Sequence, residues 1–563
     1  MKILAASLLF SCARFIFAVE VPNEQDRLIA TGRLWLTVKY FHPLLAYRKD
    51  IDWDKALVDA LPKIRAAKTV DEYSAAVQAI LKALPELNQP EVKQPAAGPP
   101  RDASAHRTWV HYGLNRSAFS IEPGPSRESI TVDMGGGVTA PVPLSEPFSA
   151  NLPAWPDPPP DRSYSESPYP STEYRILAAY KLWGVVRNFF AYRDLMDDDW
   201  DEDFSQFLPK FIAAKDVREY NLAVAEAVTH LDDSNAIVAS SEIDKYFGPA
   251  APGMRLRLFD KKPVITEITD DAASSGGVSV GDIVTRVDDE DIVARINREA
   301  GYISGSTQQA LGNSVMQRIL NGPTGSEAVL TVRTHDGATK EIRLKRVPPG
   351  PEAPPKGDAF KLLSSRFGYV DLSRIKADQV TAIFEKFAAT PAIIFDARGP
   401  VSFDPAAFAS HFTDKSDVAG AIVTGPVSLK PDVAGPKLVT ETATFFRVEA
   451  VPPGAGTIYR GKTVMLIDER TIGAAEHLGL LLEAANKTAF IGSLSAGADA
   501  EIANFVVPGG ITISFSASDI RHGNSGKLQR VGLQPTESVA PSLAYIRSGR
   551  DAILEKAIEY LSH

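Results

Sequence analysis

The chain has 563 residues, too many for one hydrophobic core, so three or four domains are expected. A hydrophobic content of 44% and a charged content of 23% are those of a globular protein, and the net charge of -10 is spread along the chain rather than gathered in a tail. There is no basic stripe with interleaved aromatics, so nucleic acid is not an expected partner, and no run beyond the N-terminus reaches the ~18 apolar residues of a membrane span.

The N-terminus, MKILAASLLFSCARFIFAVE, combines Lys2, an apolar stretch and the small residue Ala18. This outlines a secretory signal over residues 1–18 and a periplasmic or secreted protein. Cys12 follows Leu9-Phe10-Ser11, a poor lipoprotein box because Phe10 is bulky, and its loss with the signal is favoured over lipidation. As the 1 cysteine of the chain, it leaves no intrachain disulfide.

Residues 26–90 and 173–245 carry an internal repeat. Leu34-Trp35 and Leu182-Trp183 are each followed by an aromatic cluster, Asp-Trp-Asp, Leu-Pro-Lys and Glu-Tyr. Trp53 and Trp200, Pro62 and Pro209, and Tyr73 and Tyr220 are separated by one constant offset. Apolar spacing predicts about three helices in each copy, with the tryptophans as core. Residues 91–172, between the copies, read as proline-rich linkers with short strands in Thr108 to Ile130. His106 and His111 have no further ligand at suitable spacing, so neither a metal nor another cofactor is expected.

From 254 to 348, Val264-Ile265-Thr266-Glu267-Ile268 and then Gly277-Val278-Ser279-Val280-Gly281-Asp282 resemble the strand and glycine-aspartate turn of a PDZ domain. The resemblance implies peptide capture at a sheet edge, with Arg255, Leu256, Arg257 and Leu258 as the candidate binding residues. A structural spacer is the equal alternative. Residues 286–320 form a long insert of helical character.

From 359 to 563 strand and helix patterns alternate. Ala392 to Asp396 is a buried strand entering Ala397-Arg398-Gly399-Pro400. Val464 to Ile467 is a second buried strand, followed by Asp468-Glu469-Arg470-Thr471 and a helix carrying Ala474, Leu478, Leu481, Leu482 and Ala485. Asp468, Thr471 and Glu476 resemble the Asp-x-x-Thr-x-Ser-x-x-Glu segment of the tail-specific (C-terminal processing, tricorn-like) serine peptidases. Leu528-Gln529-Arg530-Val531-Gly532 resembles another of their motifs. The resemblance runs from about Tyr174 onward and implies a multidomain α+β fold: helical repeat units, a PDZ-like β domain and a C-terminal α/β core of the crotonase-like ββα type.

Carried over residue by residue, the resemblance places Gly473 where the nucleophilic serine belongs. Asn235, after Ser234, stands where the base histidine belongs, and Gln529 stands near the position of an acid. Gly399 and Ala474 take the oxyanion positions. Glycine has no hydroxyl, asparagine cannot accept a proton near neutral pH, and Pro400 removes an N–H from the oxyanion turn. Asn88, at the matching place in the first copy, offers no substitute. His230 as base, and Ser493 or Ser495 as nucleophile, are minor alternatives. Glu476 and His477 read as a solvated face or a cap. The expected function is a homologue that binds peptides or unfolded protein C-termini and is impaired in cleavage. An active serine endopeptidase and a structural envelope protein are the alternatives, and the oligomeric state is left open.

Overall fold

The computed structural model describes residues 20–85, 105–124, 129–148, 151–350, 357–432, 439–454, 456, 458–540 and 542–563. The expected signal with Cys12, residue Asn88 and the proline-rich stretch 90–100 lie outside these. The chain divides into two compact units, one of residues 1–108, 121–153 and 432–439, the other of residues 109–120, 154–431 and 440–563.

In the first unit, helices Glu24–Phe41, Trp53–Ala66 and Val70–Leu81 begin at Asn23, Asp52 and Thr69. The side chain of each capping residue accepts a first-turn N–H, satisfying a donor that the helix cannot pair. Trp35 and Tyr73 are buried. The indole of Trp35 donates to Asp54 (3.0 Å), and that of Trp53 donates to the Trp35 carbonyl (3.1 Å). The Tyr73 hydroxyl donates to the Met134 carbonyl (2.9 Å), in a hairpin of strands Ser129–Gly135 and Val138–Pro143.

The second unit repeats this wiring. Its helices are Thr172–Phe189, Trp200–Ala213 and Val217–Thr229. Trp183 donates to Asp201 (2.9 Å), Trp200 to the Trp183 carbonyl (3.0 Å) and Tyr220 to the Pro508 carbonyl (2.6 Å). Pro508 lies in the hairpin Ile502–Val507 and Ile511–Ser516. The repeat therefore includes a hairpin as well as helices: Gly136-Gly137-Val138-Thr139 answers to Gly509-Gly510-Ile511-Thr512. Residues 105–147, expected as linker with short strands, hold five strands, two of them this hairpin.

Within the second unit, residues 254–345 form an antiparallel sheet. Its strand order is Thr339–Lys345, Glu327–Arg333, Ile283–Val287, Lys262–Ile268 and Met254–Phe259, with helices Ile292–Ala300 and Gln308–Met316. The C-terminal sheet runs Phe360–Leu362, Gly368–Asp371, Ala392–Asp396, Lys462–Ile467, Ala489–Gly492 and Glu537–Ser538, and every pair after the first is parallel. One face packs on helix Ala474–Asn486 and the other on helix Ala552–Ser562. Burial on both faces explains the unbroken apolar run Val464 to Ile467. Strands Ala392–Asp396 and Lys462–Ile467 end side by side and place two turns, Asp396 to Gly399 and Asp468 to Gly473, at one edge of the sheet.

Candidate functional site

The strand Lys462–Ile467 ends in Asp468, which is fully buried. It holds Arg470 (2.7 Å) and Arg257 (2.8 Å). Burial opposes its ionisation, but these two guanidiniums outweigh it and keep the carboxyl below the usual carboxylate range. The Thr471 hydroxyl donates to the Ala397 carbonyl (2.9 Å) and accepts the Asp468 N–H (3.2 Å), which locks the two turns together. Gly473 then caps helix Ala474–Asn486 with φ 57 and ψ -121. A side chain in that region is strained, and a sharp strand-to-helix turn of this kind is how a nucleophile elbow presents its residue. A Cβ built on Gly473 meets nothing within 4 Å. The strand-to-helix turn is sharp, and the residue on it is a glycine.

Glu476 organises the wall behind that turn. Expected on a solvated face or as a cap, it does cap, accepting the Gly473 N–H (3.3 Å), but it is fully buried. Its carboxylate also accepts the Gly497 N–H (2.7 Å), the Ala498 N–H (2.9 Å) and the Ser495 hydroxyl. Burial pushes its pKa up to about 7 against the pull of those bonds. Ser495 also accepts the Leu533 N–H (2.7 Å) and is fully buried, so its hydroxyl cannot meet a substrate. His477 lies between Asp499 (2.8 Å) and Glu449 (3.0 Å). Burial alone would lower its pKa, but the two carboxylates raise it to about 10. It is an imidazolium with both nitrogens donated, and it has no lone pair for proton abstraction.

Asn235 belongs to the same wall. Its amide donates to the Ser516 hydroxyl (3.1 Å) and the Ala498 carbonyl (3.4 Å). The N–H of that same Ala498 is held by Glu476, which also holds Gly473. One residue thus connects the serine and histidine positions suggested by the sequence. Gly399 follows two residues after Ala397, the anchor of Thr471, and Ala474 is the first helical residue. Ser234 and Ser306 exchange reciprocal backbone-to-hydroxyl bonds of 2.9 Å. Gln529 reaches Ser306 (3.1 Å) and Asp233 (3.4 Å) rather than Ser234, and its carbonyl oxygen is buried without a partner.

Sequence reasoning missed Asp233, Ser306 and Ser516. Asp233 is fully buried and accepts from the N–H and the hydroxyl of Ser516, both at 2.9 Å. Its neighbours in sequence drew attention, but nothing local signals that it is buried. Ile237, Ile472, Leu494 and Val531, on the segments that build the wall, are exposed apolar side chains.

The four candidate peptide-binding residues lie on Met254–Phe259, the last strand of its sheet. Their side chains take different surroundings, and Arg257 and Leu258 line a cavity together with Lys262, Glu469 and Ser493. Leu256 is core, and Leu258 packs against helix Gln308–Met316, where a Cβ on Gly312 would come within 2.8 Å of it. Arg257 is spent on Asp468 and on Glu469 (2.7 Å), while Arg255 is exposed beside Glu267 (3.3 Å). As the last strand of the sheet, Met254–Phe259 also has a backbone edge. His230 does not join the wall; it meets Asp203 (3.1 Å) and Asp198 (3.7 Å), a set of groups able to hold a metal ion.

These features define a mixed α+β, multi-domain protein, and its fold is shared with a solved structure. The structure of mature CPAF complexed with lactacystin matches with a TM-score of 0.52 at 14% identity, covering 69% of this chain and 98% of that one. Mature CPAF matches with 0.50 at 14% identity, covering 69% and 96%. The photosystem II D1 C-terminal processing protease aligns over 69% of this chain and 97% of its own at 13% identity, with a TM-score of 0.39. At these identities the likeness to CPAF is one of fold. No protein-family model and no curated protein sequence matches the chain. No helix of the described residues is long and apolar enough to cross a membrane.

Proposed function

We propose that this chain is a tail-specific serine peptidase homologue that binds peptides or unfolded protein C-termini and does not cleave them efficiently. The observation that carries the reading is Gly473, a glycine in the strained elbow conformation with open space where a side chain would stand. The chemistry around it agrees: Asn235 is an amide, His477 is held as an imidazolium, and Ser495 is sealed from solvent. Losing a nucleophile leaves a residual rate from binding and oxyanion contacts, but losing the base as well leaves little to accelerate. In this reading residues 254–348 are a PDZ-like module, the free edge of Met254–Phe259 pairs with an extended peptide, and the exposed apolar residues beside the wall receive its side chains. The chain acts in the periplasm or outside the cell.

The experiment is a pair of measurements on the wild-type protein. A fluorophosphonate probe should leave it unlabelled, while fluorescence anisotropy should report binding of unfolded polypeptides with free C-termini. Labelling at Ser493 or Ser495 would establish an active peptidase instead. An absence of both labelling and binding would favour a structural role.

A further inference from the structure

We propose that Asp198, Asp203 and His230 form a binding site for a divalent transition-metal cation of the zinc type, independent of the peptide-binding reading. One ligand atom from each lies within 4.8 Å of the others. The His230 Nδ1 is 3.1 Å from Asp203 and 3.7 Å from Asp198. Two ligands on a tetrahedral ion with bonds of about 2.0–2.1 Å stand roughly 3.3 Å apart, so the two separations bracket the edge of such a site.

The second observation is Asp203 itself. Its side chain is 2% exposed, and one carboxylate oxygen, Oδ2, is buried with no hydrogen-bond partner. Buried carboxylate oxygens are ordinarily paired, and a cation between these groups would supply what the protein does not. The charges around them act in the same direction. Asp197, Asp199 and Asp232 lie close by, and Arg530 is paired with Asp197 (2.9 Å) and Asp232 (3.7 Å).

The donor set selects the ion. An imidazole nitrogen with two carboxylates suits zinc and its neighbours, whereas calcium and magnesium prefer oxygen alone. Three protein ligands leave a fourth position open to water. Asp198 is 67% exposed, which gives an ion a route in. The set is not a requirement of the helical unit, because at the repeat offset the first copy has Ile51, Ala56 and Ala83 in place of Asp198, Asp203 and His230. A bound ion would join the beginning of helix Trp200–Ala213 to the end of helix Val217–Thr229. His230 leads directly into Leu231 to Asn235, so the ion would anchor the segment that carries Asp233 and Asn235 to the wall.

The test uses the full chain, stripped with a chelator and titrated with zinc chloride in a calorimeter. One equivalent should bind, with cobalt giving tetrahedral d–d absorption at the same stoichiometry and calcium or magnesium giving no competition. Asp198→Asn, His230→Ala and Asp203→Asn should each weaken zinc by at least about tenfold. Asp198→Asn lies at the surface and keeps the fold, so it decides the matter if Asp203→Asn does not fold. Absence of saturable binding, or wild-type affinity in both Asp198→Asn and His230→Ala, would overturn the site and leave a His230–Asp203 ion pair.

Discussion

Substitutions at Gly473 separate the cost of the elbow from its chemistry. At φ 57 and ψ -121 a non-glycine residue bears roughly 1–3 kcal/mol of backbone strain. No steric cost is added, because a Cβ there meets nothing within 4 Å. Stiffening the unfolded chain returns about 0.4–1 kcal/mol. Gly473→Ala should therefore destabilise by about 1–2 kcal/mol, and Gly473→Ser by a similar amount. Gly492→Ala is the contrast, since its Cβ would fall 2.0 Å from the Ile467 carbonyl and force the paired strands apart. Chemistry should not return with the hydroxyl alone, as His477 has both nitrogens committed. Adding Asn235→His places an imidazole on the wall, and general-base assistance of about 10²–10⁴-fold is the ordinary yield of such a group. Urea denaturation gives the stabilities and the rate of fluorophosphonate labelling gives the chemistry. A loss above ~4 kcal/mol in Gly473→Ala would refute the open-space argument. A folded double variant labelling no faster than Gly473→Ser would refute the alignment of Asn235 with the base.

Two further substitutions probe the buried charges. The His477 pKa is raised from 6.5 to about 10, so its contribution is fully present below pH 6.5 and lost as pH rises through 10. His477→Gln should be less stable than wild type at pH 6 by on the order of a few kcal/mol, with the gap closing toward pH 10. A gap of constant size in denaturant midpoints across that range would contradict the imidazolium. Gln529→Glu sets a second carboxyl about 3.4 Å from Asp233, whose own pKa burial already raises. Two carboxylates that close do not both ionise cheaply, so this variant should approach wild-type stability at pH 5 and fall behind by about 2–4 kcal/mol at pH 8. Identical losses at both values would mean that Gln529 and Asp233 do not share a site.

The parts of the fold that local pattern controls were legible in the sequence. Val464 to Ile467 is apolar because both sheet faces are covered, and Leu478, Leu481 and Leu482 recur at helical spacing because one side of their helix meets that sheet. Tyr73 and Tyr220 aligned as repeat partners, but the carbonyls that receive them lie far apart in sequence terms: Met134 follows its helices closely, whereas Pro508 comes after most of the C-terminal sheet. That interruption hid the hairpin half of the repeat. The site divides in the same way. Gly473, Asn235 and Gln529 stand in recognisable segments, and the cap role of Glu476 was readable, but its burial was not, because Ser495, Gly497 and Ala498 arrive from a loop whose path no periodicity encodes. The ion pairs of Arg257 were hidden for a related reason, since its carboxylate partners belong to the C-terminal core.

In the proposed reading, the residues at the serine and histidine positions share one physical direction: each relieves a strain or repulsion in the resting protein. Glycine at 473 adopts a positive φ without the strain a serine would bear. Asn235 donates to two fixed acceptors, the Ala498 carbonyl and the Ser516 hydroxyl, and needs no partner to hold it in one tautomer or charge state. Gln529 approaches the buried Asp233 as a neutral donor, where an acid would add a second buried carboxylate. Catalytic sites keep such strained or mutually repelling groups because the reaction requires them, at a cost to stability. Here the shape around the elbow is maintained by groups that need no catalytic serine or histidine: Glu476 on backbone amides, Thr471 on the Ala397 carbonyl, Asp468 on two arginines. In the proposed reading, the groups that support the turn and the groups that would cut there are separate sets of atoms, so the second set can be relaxed while the first still holds the local shape.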